Sequence, residues 1–255
     1  MRRLILLLLL NFVIAIDLFA ISYPSWFLYP KKYPKYITGF SYQGNPPSMD
    51  AEVMYCVFKH CDVDGYLESY SDGQFNFLSN AKYYYVYPTE EIERISGKLN
   101  KIDRFVLSVR SGDYVELFSL EKDEVFVSTL TEEDSIPRPS WLNKNTWQDG
   151  EYYYGVSMTT SIGNPSDCWK NSEEQAVFSI LTSLSMKFYS LNFSTSNNQH
   201  EKEEFKQYTR TELKFAVSSI QTLERYPDLQ KNLFYTLVRI PKRSVRPLSF
   251  DPESK

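Results

Sequence analysis

Histidine is the scarcest reactive side chain: only His60 and His200 occur in 255 residues. His60 lies four positions after Cys56 and next to Cys61. On a helix, positions four apart share a face, so Cys56 and His60 are spaced like two zinc ligands. Structural zinc takes four ligands, and no second Cys or His pair occurs. The spacing therefore reads as a solvated histidine at a helix end. Asp62-Val63-Asp64-Gly65 has the opening of a calcium loop but lacks the third oxygen ligand and the bidentate glutamate at position twelve. It reads as a turn ending a helix. Cys168 and His200 would meet only through the fold, as nucleophile–base pairs do. The chain has no Gly-x-Ser-x-Gly, no His-Glu-x-x-His and no Gly-rich phosphate loop. Paired glutamates at 90–91, 132–133 and 203–204 read as solvated surface. A hydrolase with a Cys or carboxylate site ranks last, and the sequence points to no catalytic residue, metal or cofactor.

The three cysteines, Cys56, Cys61 and Cys168, leave room for one bridge and one thiol. Cys56 and Cys61 would point to different sides of a helix, so the sequence reading is three small buried apolar groups. Two tyrosine runs, 83–85 and 152–154, alternate their sides if they are strands. Tyr83, Tyr85, Tyr152 and Tyr154 are the candidate binding face for a glycan or peptide; packing against a core is the plain alternative.

Lys and Arg number 28 against 32 Asp and Glu, a net charge of −4, with no basic stripe. That excludes nucleic acid, whose phosphates demand clustered cations. Arg2 and Arg3 precede an apolar run, Leu4 to Ile16, and Leu18-Phe19-Ala20 ends in a small residue. Residues 1–20 read as a signal peptide, with an uncleaved membrane anchor as the other reading. No cysteine precedes Cys56, so there is no lipidation site at the cleavage point.

The elements that must position these groups show a repeat. Pro24-Ser25-Trp26 is followed by a strand around Gly39 and a helix around Ala51. Pro139-Ser140-Trp141 is followed by a strand, Tyr152 to Thr160, around Gly155, and by a helix around Ala176. Ser172-Glu173-Glu174-Gln175 is spaced as a capping box, and Ala176, Ile180, Leu184 and Phe188 form a stripe suited to covering a sheet. The first half adds a meander, Arg104 to Arg110, Tyr114 to Leu120 and Glu124 to Leu130. The second half ends with strands from about Val217 and from Phe234 to Ile240. Leu191 and Phe193 alternate as a strand would, and 197–211 suggests a helix from Gln199. The expected fold is α+β: two tandem similar units, 21–130 and 139–241, each a helix on a mostly antiparallel sheet. Residues 131–138 form a linker and 242–255 a disordered tail.

Trp141, Tyr154-Gly155-Val156-Ser157, Glu174-Gln175-Ala176, the run Gln221 to Tyr226 and Tyr235-Thr236-Leu237-Val238 together resemble the bacterial twenty-kilodalton envelope lipoprotein (LPP-twenty) family. Trp26, Gly39-Phe40-Ser41 and Ala51 resemble it more faintly. The resemblance implies an exported Gram-negative envelope protein, in the periplasm or envelope, with helix-on-sheet units and no catalytic activity. The chain departs from the family in lacking the lipidation cysteine. The function expected is structural or partner-binding, with a glycan- or peptidoglycan-binding module as the alternative.

Overall fold

A computed structural model describes residues 22–71, 76–108, 111–122, 125–190 and 207–248. The expected signal peptide, Leu191, Phe193, His200, Glu203-Glu204 and the last residues of the tail lie outside them. In chain order the elements are β1 (Ser22–Pro24), the helical turn α1 (Ser25–Leu28), β2 (Ile37–Phe40), α2 (Pro47–Lys59), β3 (His60–Ser71), β4 (Asn76–Val86) and α3 (Thr89–Ile95). Then follow β5 (Asn100–Ser108), β6 (Asp113–Ser119), β7 (Leu130–Glu132), β8 (Thr146–Gln148), β9 (Tyr152–Thr160), α4 (Pro165–Ser190), β10 (Gln207–Ser218), β11 (Gln221–Asp228), β12 (Leu233–Pro241) and β13 (Val245–Pro247). The fold is α+β, and every strand pairing is antiparallel.

Two sheets share one order. β2 pairs with β6 and β6 with β5; β9 pairs with β12 and β12 with β11, with β8 added outside β9. A helix crosses the first-named strand of each, and glycine makes both crossings close. A Cβ on Gly39 would lie 2.0 Å from the Pro47 carbonyl oxygen and 2.9 Å from Ala51 Cβ, and one on Gly155 would lie 2.2 Å from the Ala176 carbonyl oxygen. Both Pro-Ser-Trp turns enter with the same backbone, φ −69° and ψ 143° at Pro24, φ −71° and ψ 145° at Pro139. The Trp26 indole donates to Asp103 on β5 at 2.8 Å, and the Trp141 indole to Glu224 on β11 at 2.6 Å. Each acceptor is the first paired residue after a bulge, between Lys101 and Asp103 and between Thr222 and Glu224. A bulge re-aims the side chains beside it, and both bulges precede a tryptophan's acceptor.

A third sheet, in the order β13-β10-β3-β4, joins the halves. β3 and β10 pair along their whole length, from His60↔Ser218 to Ser71↔Gln207. The cores are shared accordingly. Met54 and Val57 of α2 bury with Ile180 and Leu181 of α4, Phe215 of β10 and Ile240 of β12. Phe27, Phe40 and Leu117 bury with Trp169 and Phe234, and the Trp169 and Phe234 rings stack at 4.3 Å. Ile136, from the expected linker, joins this second core.

Several elements differ from the sequence reading. α4 begins ten residues before Ala176's neighbour Gln175, at Pro165, with the capping box inside it. The true cap is Asn164, whose Oδ1 accepts the Ser166 and Asp167 N–H groups at 2.9 and 3.2 Å, with proline at the first helical position. Ser172 instead donates to the Ser157 carbonyl at 3.2 Å. α2 passes straight into β3 at His60, so Gly65 lies within a strand; a Cβ there would come 2.5 Å from the Lys82 carbonyl oxygen of β4. Among the described residues the third strand of the meander shortens to β7, which pairs with β1; ahead of it Phe126 docks between the Tyr33 and Tyr36 rings, and Thr129 exchanges hydrogen bonds with Ser25. Residues 207–211 belong to β10, where pairing with β3 overrides their helix-like polarity. Val245 to Pro247 of the tail form β13 on β10.

Candidate functional site

Among the described residues the sequence candidates do not converge, and His200, the candidate partner of Cys168, lies outside them. Cys56 is buried on α2, while His60 is exposed at the helix's C-terminal end. Asp62 to Gly65 lie extended in β3, where successive side chains diverge instead of circling an ion. Among the described residues, no three His, Cys, Asp or Glu side chains gather to hold a metal. All three cysteines are free and buried. Burial pushes the Cys61 thiol up to about 12 and raises those of Cys56 and Cys168; such thiols are poor nucleophiles. Glu91 spends its carboxylate on Arg94 at 2.7 Å and Lys59 at 3.4 Å.

The four tyrosines do not form one face, because β4 and β9 belong to different sheets. On β4 the alternation turns Tyr83 and Tyr85 inward under α4, and Tyr84, 57% exposed, is the one left outside. Tyr83 stacks on Phe178 at 4.4 Å. The Tyr85 hydroxyl is buried without a hydrogen-bond partner among the described residues, and burial pushes its pKa far up. Tyr152 and Tyr154 occupy the outer side of β9, half-buried. Tyr154 stacks flat on Trp147, centroids 4.9 Å apart, and donates to Asp149 at 2.6 Å. The Arg239 guanidinium lies 4.1 Å from the Tyr152 ring centroid.

The structure instead places a buried charge network at the junction of the halves. Lys170 of α4 lies 2.7 Å from Asp50 of α2 and 3.7 Å from Glu174. Asp50 Oδ2 also accepts the Phe40 backbone N–H at 2.9 Å. One turn on, Glu173 meets Arg225 of β11 at 2.5 Å and accepts from the Thr222 hydroxyl at 2.9 Å. Arg225 donates to the Phe27 carbonyl at 3.0 Å and lies over the Phe27 and Phe40 rings at 5.0 and 5.3 Å. Its Nε has no hydrogen-bond partner among the described residues. Burial works against the Lys170 ammonium, but Asp50, Glu174 and Glu173 outweigh it and hold its pKa above the lysine value. Burial raises the Glu174 carboxyl above the usual range despite Lys170. The early start of α4 makes the network: its added turns carry Lys170 over the first sheet.

Arg225, Glu173 and Thr222 also line a cleft of about 540 Å³, of the size that takes a small molecule. One wall is the segment Pro30 to Thr38, the second is the last two turns of α2, and the third is the stretch from Ser219 into β11. Among the described residues that line it, five are cations, Lys31, Lys35, Lys59, Arg225 and Arg239, and one is a carboxylate, Glu173. Tyr55, Phe58 and Ile220 supply apolar and aromatic surface between them. Lys59 lies over the Tyr55 ring at 5.8 Å, and Lys35 over Tyr36 at 5.2 Å.

Sequence reasoning missed this site because its three walls come from segments about twenty to a hundred and eighty positions apart. The one local signal was Lys31-Lys32 and Lys35 interleaved with Tyr33 and Tyr36 in an otherwise acidic chain. Arg225 entered the sequence reading only within the run Gln221 to Tyr226, with no role of its own. No protein-family model matches the chain, and no curated protein or solved structure resembles it significantly.

Proposed function

We propose that the chain is an exported, non-enzymatic envelope protein that binds a partner or ligand in the cleft between its two halves. The observation that carries this reading is the cleft itself: a cavity of about 540 Å³ floored by an ion pair and mouthed by lysines. A rigid floor is what a binding site needs, since ordered side chains lose less entropy on association. The free cysteines with raised pKa values supply no nucleophile beside it. Export rests on Arg2-Arg3 ahead of Leu4 to Ile16, and β1 starts at Ser22, so cleavage after Ala20 leaves every described element whole.

The same proposal includes an internal duplication. Matching strand order, two glycine crossings and two tryptophan–carboxylate pairs after bulges support it. The resemblance of 141–241 to the twenty-kilodalton lipoproteins belongs here too. A second reading, glycan binding, is favoured by the Trp147–Tyr154 stack beside Tyr152, an arrangement suited to the apolar face of a sugar ring.

Backbone amide shifts of the labelled protein, titrated with peptidoglycan fragments and small anions, test both. Shifts gathered at Tyr55, Phe58 and Ile220 support the cleft. Shifts gathered at Trp147, Tyr152 and Tyr154 move the site to the outer sheet face. Edman sequencing of the protein from fractionated cells should begin at Ile21; an intact Met1 in the membrane fraction would overturn cleavage.

A further inference from the structure

We propose that the cleft takes a small amphipathic carboxylate, its apolar body against Tyr55, Phe58 and Ile220 and its acid group at the lysine-bearing mouth. This rests on the reading of the cleft as a binding site and adds the class of ligand. The charge around the cavity opposes that of the chain: among the described residues five cations and one carboxylate line it, while the chain as a whole carries −4. The lone carboxylate is already spent, since Glu173 takes the Arg225 guanidinium and the Thr222 hydroxyl. Among the described lining residues a cationic ligand would find no unpaired acid and several like charges. A neutral one would draw nothing from the lysines beyond the pairs they already make.

The mouth is also loosely committed. Lys31 pairs with Glu224 and Lys59 with Glu91, but both lysines are about half exposed. Exposed pairs contribute little to stability, so a ligand acid can exchange for them at small cost. Lysine offers point charges without the fork of an arginine. The most exposed cations at the mouth are lysines; the half-buried Arg239 donates its Nε to Gln221 at 2.7 Å and lies over the Tyr152 ring, and Arg225 has two of its donor nitrogens engaged within the fold. Lysine serves phosphate as well as carboxylate, but phosphate sites commonly add bidentate guanidinium groups or converging backbone amides to it. A singly charged carboxylate fits this mouth better. The body of the ligand meets Met54 and Ile220, both buried, and two half-buried rings. That surface suits a medium acyl chain or an aryl ring.

Calorimetry on the intact protein would use octanoate and 3-phenylpropanoate, the amide of each, octylammonium and octyl phosphate. Variants would be Gln221→Trp, which narrows the cleft from an exposed position, the pair Lys35→Gln/Lys59→Gln, and Lys231→Gln as a control away from the cleft. The acids should bind at least about tenfold more tightly than their amides. Raising salt or the double lysine variant should close most of that gap, Gln221→Trp should abolish binding, and Lys231→Gln should change nothing. Preference for octanoate over 3-phenylpropanoate would assign an acyl chain, and the reverse an aryl ring. Equal binding of acid and amide, tighter binding of octylammonium, or octyl phosphate ahead of octanoate by more than about tenfold would overturn the carboxylate class. In those cases sensitivity to Gln221→Trp would leave the cleft standing as a site. Absence of binding by every probe, with no amide shifts at Tyr55, Phe58 or Ile220, would remove both.

Discussion

Lys170 Nζ lies 2.7 Å from Asp50 Oδ1, with 2% and 7% of their side-chain surfaces left to solvent. The pair ties the added N-terminal turns of α4 to the first turn of α2, across the junction of the two halves. Breaking it from one side leaves a buried charge without its partner, which costs about 3–5 kcal/mol. Lys170→Met should lower stability by that much in urea unfolding, and adding Asp50→Asn should restore part of the loss. An unchanged midpoint for Lys170→Met would show that the pair holds nothing together.

The two glycine crossings give the next expectation. Gly39→Ala and Gly155→Ala each drive a methyl group into a helix carbonyl oxygen, at 2.0 and 2.2 Å before relaxation. Overpacking of this kind costs about 1–3 kcal/mol, with more where backbone must move. Gly150→Ala meets open space and should stay within about 0.5 kcal/mol of the parent. Thermal melts of the three variants give the comparison; equal melting temperatures would mean the helices do not sit on these strands.

Glu174 makes stability depend on pH in a stated direction. Burial raises its folded pKa above 4.5, so the folded protein holds this proton at higher pH than the unfolded chain does. Stability therefore falls as pH rises from about 4.5 through the folded value, and the cost is complete above it. Glu174→Gln should be more stable than the parent at pH 7, with the advantage fading toward pH 4. An advantage constant across that range, or a loss at pH 7, would count against it.

Thiol chemistry supplies a fourth measurement. With Cys61 at about 12 and Cys56 and Cys168 also raised, little thiolate exists at pH 8 in the folded protein. Ellman's reagent should react slowly with the native protein and then titrate all three thiols once guanidinium unfolds it. Rapid modification of a native cysteine, or fewer than three after unfolding without reductant, would contradict the buried free state.

Much of the fold was legible in residue spacing. Gly39 with Ala51 and Gly155 with Ala176 stood out as small residues at matching places, and each pair turned out to be a strand–helix contact. What local pattern misjudged were boundaries where a distant partner decides the outcome. The polar stretch ending at Thr211 reads as helix until β3 supplies twelve residues of ladder beside it. The capping box at Ser172 has suitable chemistry, but Asn164-Pro165 starts the helix earlier, and tertiary carbonyls claim the Ser172 hydroxyl.

By itself the sequence determined the strand-and-helix alphabet, the repeated Pro-Ser-Trp, Gly and Ala positions, the acidic balance and the lack of local catalytic motifs, because all of these are properties of residue type at short range. Only the tertiary structure decided that the halves share their cores, that Tyr83 and Tyr85 face inward, and that Lys31, Lys35, Lys59, Arg225 and Arg239 surround one cavity. A cleft is made by surfaces from segments far apart in the chain, and its charge is the sum of residues that have no pattern along it. Which way each side chain points is set by strand pairing across those same distances.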